Sequence, residues 1–243
     1  MREYTTAAGI RQFFYEPHEI EHAALDALGK AHLLPEPSQD VCTVDLETLI
    51  ERDLKVKLDQ YADLPAEVLG MTEFPIGRAP KVSLNKDLTG AMDEELSAGI
   101  VGRWRATLAH EAAHVLLHRW LFDLDSMQRG LFKTDDGDRS TETLMRCLKR
   151  DVGHGRQGSD PREVQANMGM SALLMPKPAL VKVVKQSRVS ILLPEGPIRK
   201  ESQGARDLIA EVARRFAVSK QAAGIRLETL AVLSDAAQRT LKG

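Results

Sequence analysis

The sequence predicts an α+β protein with a small, mostly antiparallel sheet, two long helices that pack against it and a helical tail. Three short segments have the composition and alternation typical of strands: LKVKLDQY, MTEFP and KVSL. Residues 98–122 form an apolar helical segment, and PREVQANMGMSALLM predicts a second helix that ends before Pro176. The order of strands followed by helices favours an α+β arrangement over alternating β-α units.

Composition and charge narrow the class of protein. The chain has 243 residues, of which 43% are hydrophobic and 28% charged, as in ordinary globular proteins with a buried core. Its two cysteines are too few for a disulfide framework, which favours a reducing compartment. We see no apolar run that would span a bilayer and no signal-peptide pattern at the start. We therefore expect a cytoplasmic protein with no membrane partner.

The pattern H-E-x-x-H occurs twice, as HEIEH at 18–22 and as HEAAH at 110–114. On a helix this spacing puts two histidines one turn apart, where both can bind one zinc ion. In HEIEH, His22 lies about 200° around the helix from Ile20, so the histidines share the polar side. HEAAH is set among apolar residues, which exclude water and orient the rings. We therefore predict a metal site at HEAAH and a solvated helix face at HEIEH.

A third ligand has two candidates. His118 lies about 12 Å along the helix from His110, too far to share a metal, so we expect it to support the site. Glu163 opens the next helix, which can pack against the first. Alternatively, Glu163 closes a capping box with Asp160. Asn167, one turn after Glu163, would accept the ring N–H of a metal-bound histidine.

These motifs together resemble a known family. HEAAHVLLH followed by EVQANMGMSALLMP is similar to the ImmA/IrrE metallo-endopeptidases, whose signature pairs H-E-x-x-H with E-x-x-A-N and L-L-M-P, over roughly residues 40–178. The resemblance implies a gluzincin-like zinc site with His110, His114 and Glu163 as ligands and Glu111 as the catalytic carboxylate. Mn²⁺ and Fe²⁺ are alternatives to Zn²⁺. In place of the family's usual aromatic residue after A-N, this chain has MGMSA.

The predicted chemistry is hydrolysis of a peptide bond. Three protein ligands leave zinc one position for water, and Glu111 would accept the proton of that water. His154, in a Gly-rich loop, is a further candidate catalytic residue. We expect KVSL, which ends at Asn85, to form the edge of the cleft, where an extended substrate adds as a strand.

The resemblance implies a zinc endopeptidase that cleaves a helix-turn-helix repressor and so releases phage, mobile-element or stress-response genes. The alternative is a DNA-binding or scaffold regulator that uses a metallopeptidase-like fold without proteolysis. A variant in which Glu111 is replaced separates the two, because only proteolysis needs its carboxylate.

The tail resembles a helix-turn-helix. In AEVARRFAVSKQAAGIRLETL, Ser219 caps the second helix and Val218 plugs the turn. Lys220, Gln221 and Arg226 would then face outward as candidate contacts for DNA or a partner protein. The other interpretation is a helix pair that serves only for packing.

Positive and negative residues are distributed unevenly along the chain. From Lys177 onward there are 13 Lys and Arg against 6 Asp and Glu, and before it 20 against 29. With the motifs, this predicts four parts: an N-terminal helical extension (1–38), a zinc metallopeptidase domain (39–178), a basic connector (179–204) and a helix-turn-helix-like domain (205–243).

Overall fold

The computed structural model describes residues 2–5, 11–75, 78–94, 97–131, 143–148 and 160–235. These form a mixed α+β fold, as the sequence predicts. In chain order the elements are β1 (Arg2–Thr5), β2 (Arg11–Phe14), α1 (Pro17–Lys30), α2 (Leu46–Thr48), a π-helical turn (Leu49–Asp53), β3 (Lys57–Ala62), β4 (Val68–Phe74), β5 (Lys81–Asn85), α3 (Lys86–Glu94), α4 (Ala98–Leu131), β6 (Thr143–Leu148), α5 (Pro161–Leu174), α6 (Lys177–Ser190), β7 (Ile198–Arg199), α7 (Gln203–Phe216), α8 (Lys220–Thr229) and β8 (Leu233–Ser234).

The main sheet has the strand order β3-β5-β4-β6. β4 is antiparallel to β5, as expected, and to β6, a strand that the sequence did not predict. β3 and β5 are parallel, because the chain passes through β4 before it returns to the middle of the sheet. The KVSL strand, β5, therefore has neighbours on both sides, and the prediction that it forms the cleft edge is wrong. Asn85 is buried at its end, where its amide donates to the carbonyl oxygens of Pro65 and Val68.

Helix α4 is apolar around most of its circumference because it is covered on two sides. It packs on β4 on one side and on α5 on the other. Its approach to α5 depends on small residues: a Cβ added to Gly169 would lie 2.8 Å from the Cβ of Ala113. This close packing sets the start of α5 above the HEAAH histidines. Despite the length of α4, the described part of the chain contains no helix suited to crossing a membrane.

The described part of the N-terminal 38 residues is not only helical, and its helix packs against the rest of the molecule. β1 and β2 form an antiparallel pair that the sequence did not predict. α1 lies against α4 and α5, and its apolar stripe is buried: Ile20, Ala24 and Leu28. His18 and His22 of HEIEH are exposed on the other side. The interpretation of HEIEH as a solvated helix face is confirmed.

The first part of the segment predicted as a basic connector, 179–204, contributes a helix to the core. Residues 177–190 form α6, in which Leu180, Val183 and Val184 are buried. The lysines between them are exposed, which explains why composition alone resembled a linker. A continuous set of buried apolar residues joins this helix to the sheet, to α4 and α5, and to the tail.

Two helices and a short turn make up most of the tail. α7 ends at Phe216, Ala217 adopts a left-handed conformation with φ of 50°, and Val218 is buried in the turn. The Ser219 hydroxyl accepts the N–H of Ala222, which caps α8 as the sequence predicts.

Candidate metal centre

Three side chains from two helices meet at one point in the core. His110 and His114 are fully buried one turn apart on α4, and Glu163 reaches them from the first turn of α5. The Nε2 atoms of the two histidines are 3.0 Å apart. The carboxylate of Glu163 lies 3.1 Å from Nε2 of His110 and 3.3 Å from Nε2 of His114. The structure thus brings together the three residues that the sequence proposed as ligands.

The geometry of this cluster fits one metal ion. Ligand atoms at roughly 2.0–2.1 Å from a tetrahedral zinc are separated from one another by about 3.3–3.4 Å. The 3.0 Å between the two Nε2 atoms is close to that edge length. Each carboxylate oxygen of Glu163 faces one ring, with Oε2 at 3.1 Å from Nε2 of His110 and Oε1 at 3.3 Å from Nε2 of His114. Two imidazole nitrogens and one carboxylate oxygen also form the donor set of catalytic zinc sites that keep a position open. The site is therefore compatible with a metal, while the identity of that metal is not determined by these distances.

Glu163 is directed at the histidines and does not close the capping box. At the start of α5 the N-cap is Asp160, whose carboxylate accepts the N–H of Arg162. Burial by itself would raise the pKa of Glu163, but hydrogen bonds from His110 and His114 outweigh burial and hold that pKa well below its usual range. The carboxylate is therefore ionised, the form in which it can bind a cation.

The two histidines differ in how readily they take up a proton. Burial lowers the pKa of His110, but its hydrogen bond with Glu163 and the charges of Glu111 and Glu163 outweigh burial, so this pKa is raised above its usual value. Burial dominates at His114 and lowers its pKa to about 4. Because His110 holds a proton more firmly than an ordinary histidine, its ring must give up that proton before it can bind a cation.

A second layer of polar groups holds the imidazole rings. Asn167 lies near His110 and contributes to the raised pKa of that histidine, and its role as acceptor of the ring N–H stays a prediction. Nδ1 of His118 lies 3.2 Å from Nδ1 of His114, and burial lowers the pKa of His118 to about 3. His118 is therefore neutral and next to a candidate ligand, where it can fix the ring orientation of His114.

Glu111, the middle residue of HEAAH, faces the sheet. The Thr72 hydroxyl donates to its Oε2 over 2.5 Å, and Oε1 is buried without a hydrogen-bond partner among the described residues. Burial raises the pKa of Glu111 to about 7. A carboxylate that gains and loses a proton near neutral pH, with one oxygen unused, is suited to accepting a proton from water.

Two residues of β4 contribute to this arrangement and were not identified from the sequence. Thr72 binds one oxygen of Glu111, and Gly70 leaves space for the other: a Cβ there would lie 2.8 Å from Oε1. A glycine inside a strand often marks a close approach of another group, so GMT within EVLGMTEF was the available signal. Nothing local in the sequence indicated which helix would approach.

The remaining predicted site residues have different positions. His154 lies outside the described residues. Lys220 and Gln221 are exposed at the start of α8. Arg226 is only 2% exposed, and its guanidinium contacts the carboxylate of Glu21 and the carbonyl of Met175. The expectation that Arg226 faces outward is wrong, because Glu21 of α1 and the carbonyl of Met175 supply partners for its guanidinium in the interior.

Comparison with known proteins tests the family resemblance. Residues 148–228 match the IrrE N-terminal-like domain of the Peptidase M78 family. The matched segment contains Glu163 and Asn167 and continues through α6 and α7 into α8. Because the match begins after HEAAH, it overlaps only the last part of the range 40–178 that the motifs led us to expect. A search of curated proteins finds no match. The resemblance to the ImmA/IrrE peptidases is thereby confirmed over residues 148–228, and it indicates a metallopeptidase-like function.

Proposed function

We propose that this chain is a zinc-dependent endopeptidase. The observation that carries the proposal is the cluster of His110, His114 and Glu163, whose ligand atoms all lie within 4.8 Å of one another and form the donor set of a three-ligand zinc site. Next to it, Glu111 has a raised pKa and an unused oxygen. A purely structural metal site would be closed by a fourth protein ligand and would not need such a carboxylate.

The residues divide the chemistry among them. When bound, zinc would polarise the peptide carbonyl and make a water molecule more acidic. Glu111 accepts a proton from that water through Oε1 and returns it to the departing amine. Thr72 holds the other oxygen of Glu111 in place, His118 lies against the ring of His114, and Asn167 would hold the ring of His110. Mn²⁺ or Fe²⁺ would suit the same nitrogen and oxygen donors.

For the substrate we propose a helix-turn-helix transcriptional repressor in the cytoplasm, cleaved to release phage, mobile-element or stress-response genes. This part of the proposal rests on the family resemblance. The test is a Glu111→Gln variant, which keeps the size of the side chain but removes the base. We expect the variant to bind one zinc per chain and to lose at least about 100-fold in cleavage rate, in line with the usual contribution of a general base. Full cleavage activity in that variant would exclude the mechanism.

A second candidate is a regulator that binds DNA without proteolysis. Lys220 and Gln221 favour it, because both are exposed at the start of the second helix of the tail. A Lys220→Ala/Gln221→Ala variant should then elute from immobilised duplex DNA at lower salt than the parent. Identical elution of the two proteins would exclude contact through this helix, and an active Glu111→Gln variant in cells would favour the regulator over the peptidase.

A further inference from the structure

The edge of the sheet next to Glu111 is covered by another strand of the same chain. β4 runs along α4, with Gly70 against Glu111, and with Phe74 stacked on Phe122 at a centroid distance of 4.4 Å. One side of β4 pairs with β5 and the other pairs with β6. Without β6, the outer side of β4 would be a free edge that passes the proposed catalytic carboxylate.

A peptidase of this kind needs such an edge. An extended protein segment can bind an exposed strand through main-chain hydrogen bonds, largely independently of its side chains. Among the described strands, β4 is the one that contacts Glu111, through Gly70 and Thr72. The far edge of the sheet, on β3, lies two strands away, roughly 10 Å further from the site. The outer side of β4 is therefore the place where a substrate backbone would lie beside the catalytic groups.

The register of β6 places it at this position. β6 is antiparallel to β4, and its pairing extends from Val68 opposite Leu148 to Phe74 opposite Thr143. Gly70 and Thr72, which contact Glu111, have Cys147 and Met145 as their partners across the ladder. The middle of β6 is thus paired with the part of β4 that forms the proposed active site.

We propose that β6 occupies the substrate position on β4, so that the resting chain is autoinhibited and β6 must leave before a protein substrate can pair there. This inference rests on the proposed peptidase function. β6 is an edge strand of six residues, and each of its backbone hydrogen bonds contributes little net free energy because water replaces it when the strand leaves. Its release without unfolding of the core is therefore energetically accessible.

The covalent link between β6 and the rest of the chain determines which substrates can compete with β6 for β4. Because β6 belongs to the same chain, its effective concentration at β4 is on the order of millimolar. A short peptide at micromolar concentration cannot displace it, whereas a folded partner that also contacts surfaces outside the sheet can. Autoinhibition by β6 thus favours a dedicated protein substrate over unrelated peptides.

The test breaks the pairing of β6 without touching the site. In the full chain loaded with one equivalent of zinc, Met145→Pro/Arg146→Pro removes two successive N–H groups, one of which faces β4 in an antiparallel ladder. The matched control, Met145→Ala/Arg146→Ala, keeps both donors. With fluorescein-labelled casein as an unfolded substrate, we expect the proline variant to cleave about tenfold faster than the alanine variant, equivalent to ~1.4 kcal/mol of lost competition. Equal and measurable rates of cleavage by the two variants would overturn the proposal.

A binding measurement separates this inference from the function on which it rests. The same substitutions are placed in the Glu111→Gln background, and the affinity for labelled casein is measured by fluorescence anisotropy. About tenfold tighter binding by the proline variant supports the proposal that β6 covers the substrate position on β4. That support holds even if no form of the protein cleaves casein, an outcome that would count only against the peptidase function. If binding is unchanged and the parent protein cleaves casein, the proposed autoinhibition by β6 is refuted and the proposed peptidase function stands.

Discussion

Replacing Gly70 with alanine should displace the catalytic carboxylate and leave the metal ligands in place. The added Cβ would lie 2.8 Å from Oε1 of Glu111 and 2.8 Å from Cγ2 of Thr107, well inside ordinary van der Waals contact. Both neighbours are fully buried, and Thr72 holds the other oxygen of Glu111. The carboxylate must therefore move, by about 0.6 Å or more, to restore normal contact distances.

The expected effect is large for activity and small for metal binding. A misplacement of about 1 Å in a catalytic group can cost on the order of 100-fold, so we expect kcat/KM on casein to fall by about 30- to 100-fold. Zinc affinity should change by less than about threefold, because no metal ligand is among the atoms that the new Cβ would contact. Overpacking against Thr107 should lower the free energy of unfolding by about 1–3 kcal/mol.

The assay compares kcat/KM, zinc affinity and urea unfolding for four proteins. Gly90→Ala is the matched control, because its Cβ would have nothing within 4 Å. Gly70→Ala/Thr107→Ser removes the second clash while keeping the hydroxyl that donates to the carbonyl of Arg103. This double variant should recover stability but not activity. Activity within threefold of the parent in Gly70→Ala, or loss of zinc from it, would refute the argument.

Three further perturbations test other parts of the structure. Glu163→Ala should weaken zinc binding by at least about 100-fold, which is more than the usual effect of losing a residue that only supports a ligand. His22→Ala, the control, should keep one zinc per chain after dialysis. Zinc affinity should fall by about tenfold per pH unit below the raised pKa of His110, because the metal must displace the proton that this residue holds; competition with a zinc-sensitive dye at pH 5.5, 6.5 and 7.5 measures it. Glu21→Gln should lower the free energy of unfolding by about 1–3 kcal/mol in urea titrations, because it leaves the buried guanidinium of Arg226 without its charged partner.

Clear results would contradict each of these expectations. Full zinc content in Glu163→Ala would mean that the carboxylate is not a ligand, and loss of zinc in His22→Ala would assign the metal to HEIEH. A zinc affinity independent of pH over this range would show that His110 carries no proton in the metal-free protein. Unchanged stability in Glu21→Gln would show that its contact with Arg226 contributes nothing.

The candidate ligands could be found from the sequence because their signals are local. Two histidines four residues apart on an apolar helix must share one face, whatever the rest of the fold does. Glu163 and Asn167 are likewise one turn apart on a second helix. The sequence left open whether Glu163 caps its own helix or reaches the histidines. In the structure, the close contact of Gly169 with Ala113 brings the carboxylate of Glu163 to 3.1 Å from His110.

Elements that depend on distant partners were predicted less well. KVSL has the composition of a strand, but its position inside the sheet depends on pairing with β3, from which β4 separates it in the sequence. Residues 179–204 resembled a linker because exposed lysines dilute the buried positions of α6. Arg226 looked like a surface residue because arginine seldom lies in a core without a partner, and that partner is on α1, about two hundred residues earlier in the chain.

The sequence by itself determined the class of the fold, the identity of the three candidate ligands, the neighbouring carboxylate and the contrast between HEAAH and HEIEH. Each depends on spacing within a helix or on the polarity of nearby residues, which are properties of short segments. Only the tertiary structure decided that Glu163 meets the histidines, that Gly70 and Thr72 hold Glu111, and that β6 lies on the outer side of β4. These are contacts between segments far apart in the chain, and they form where burial and backbone pairing are satisfied together.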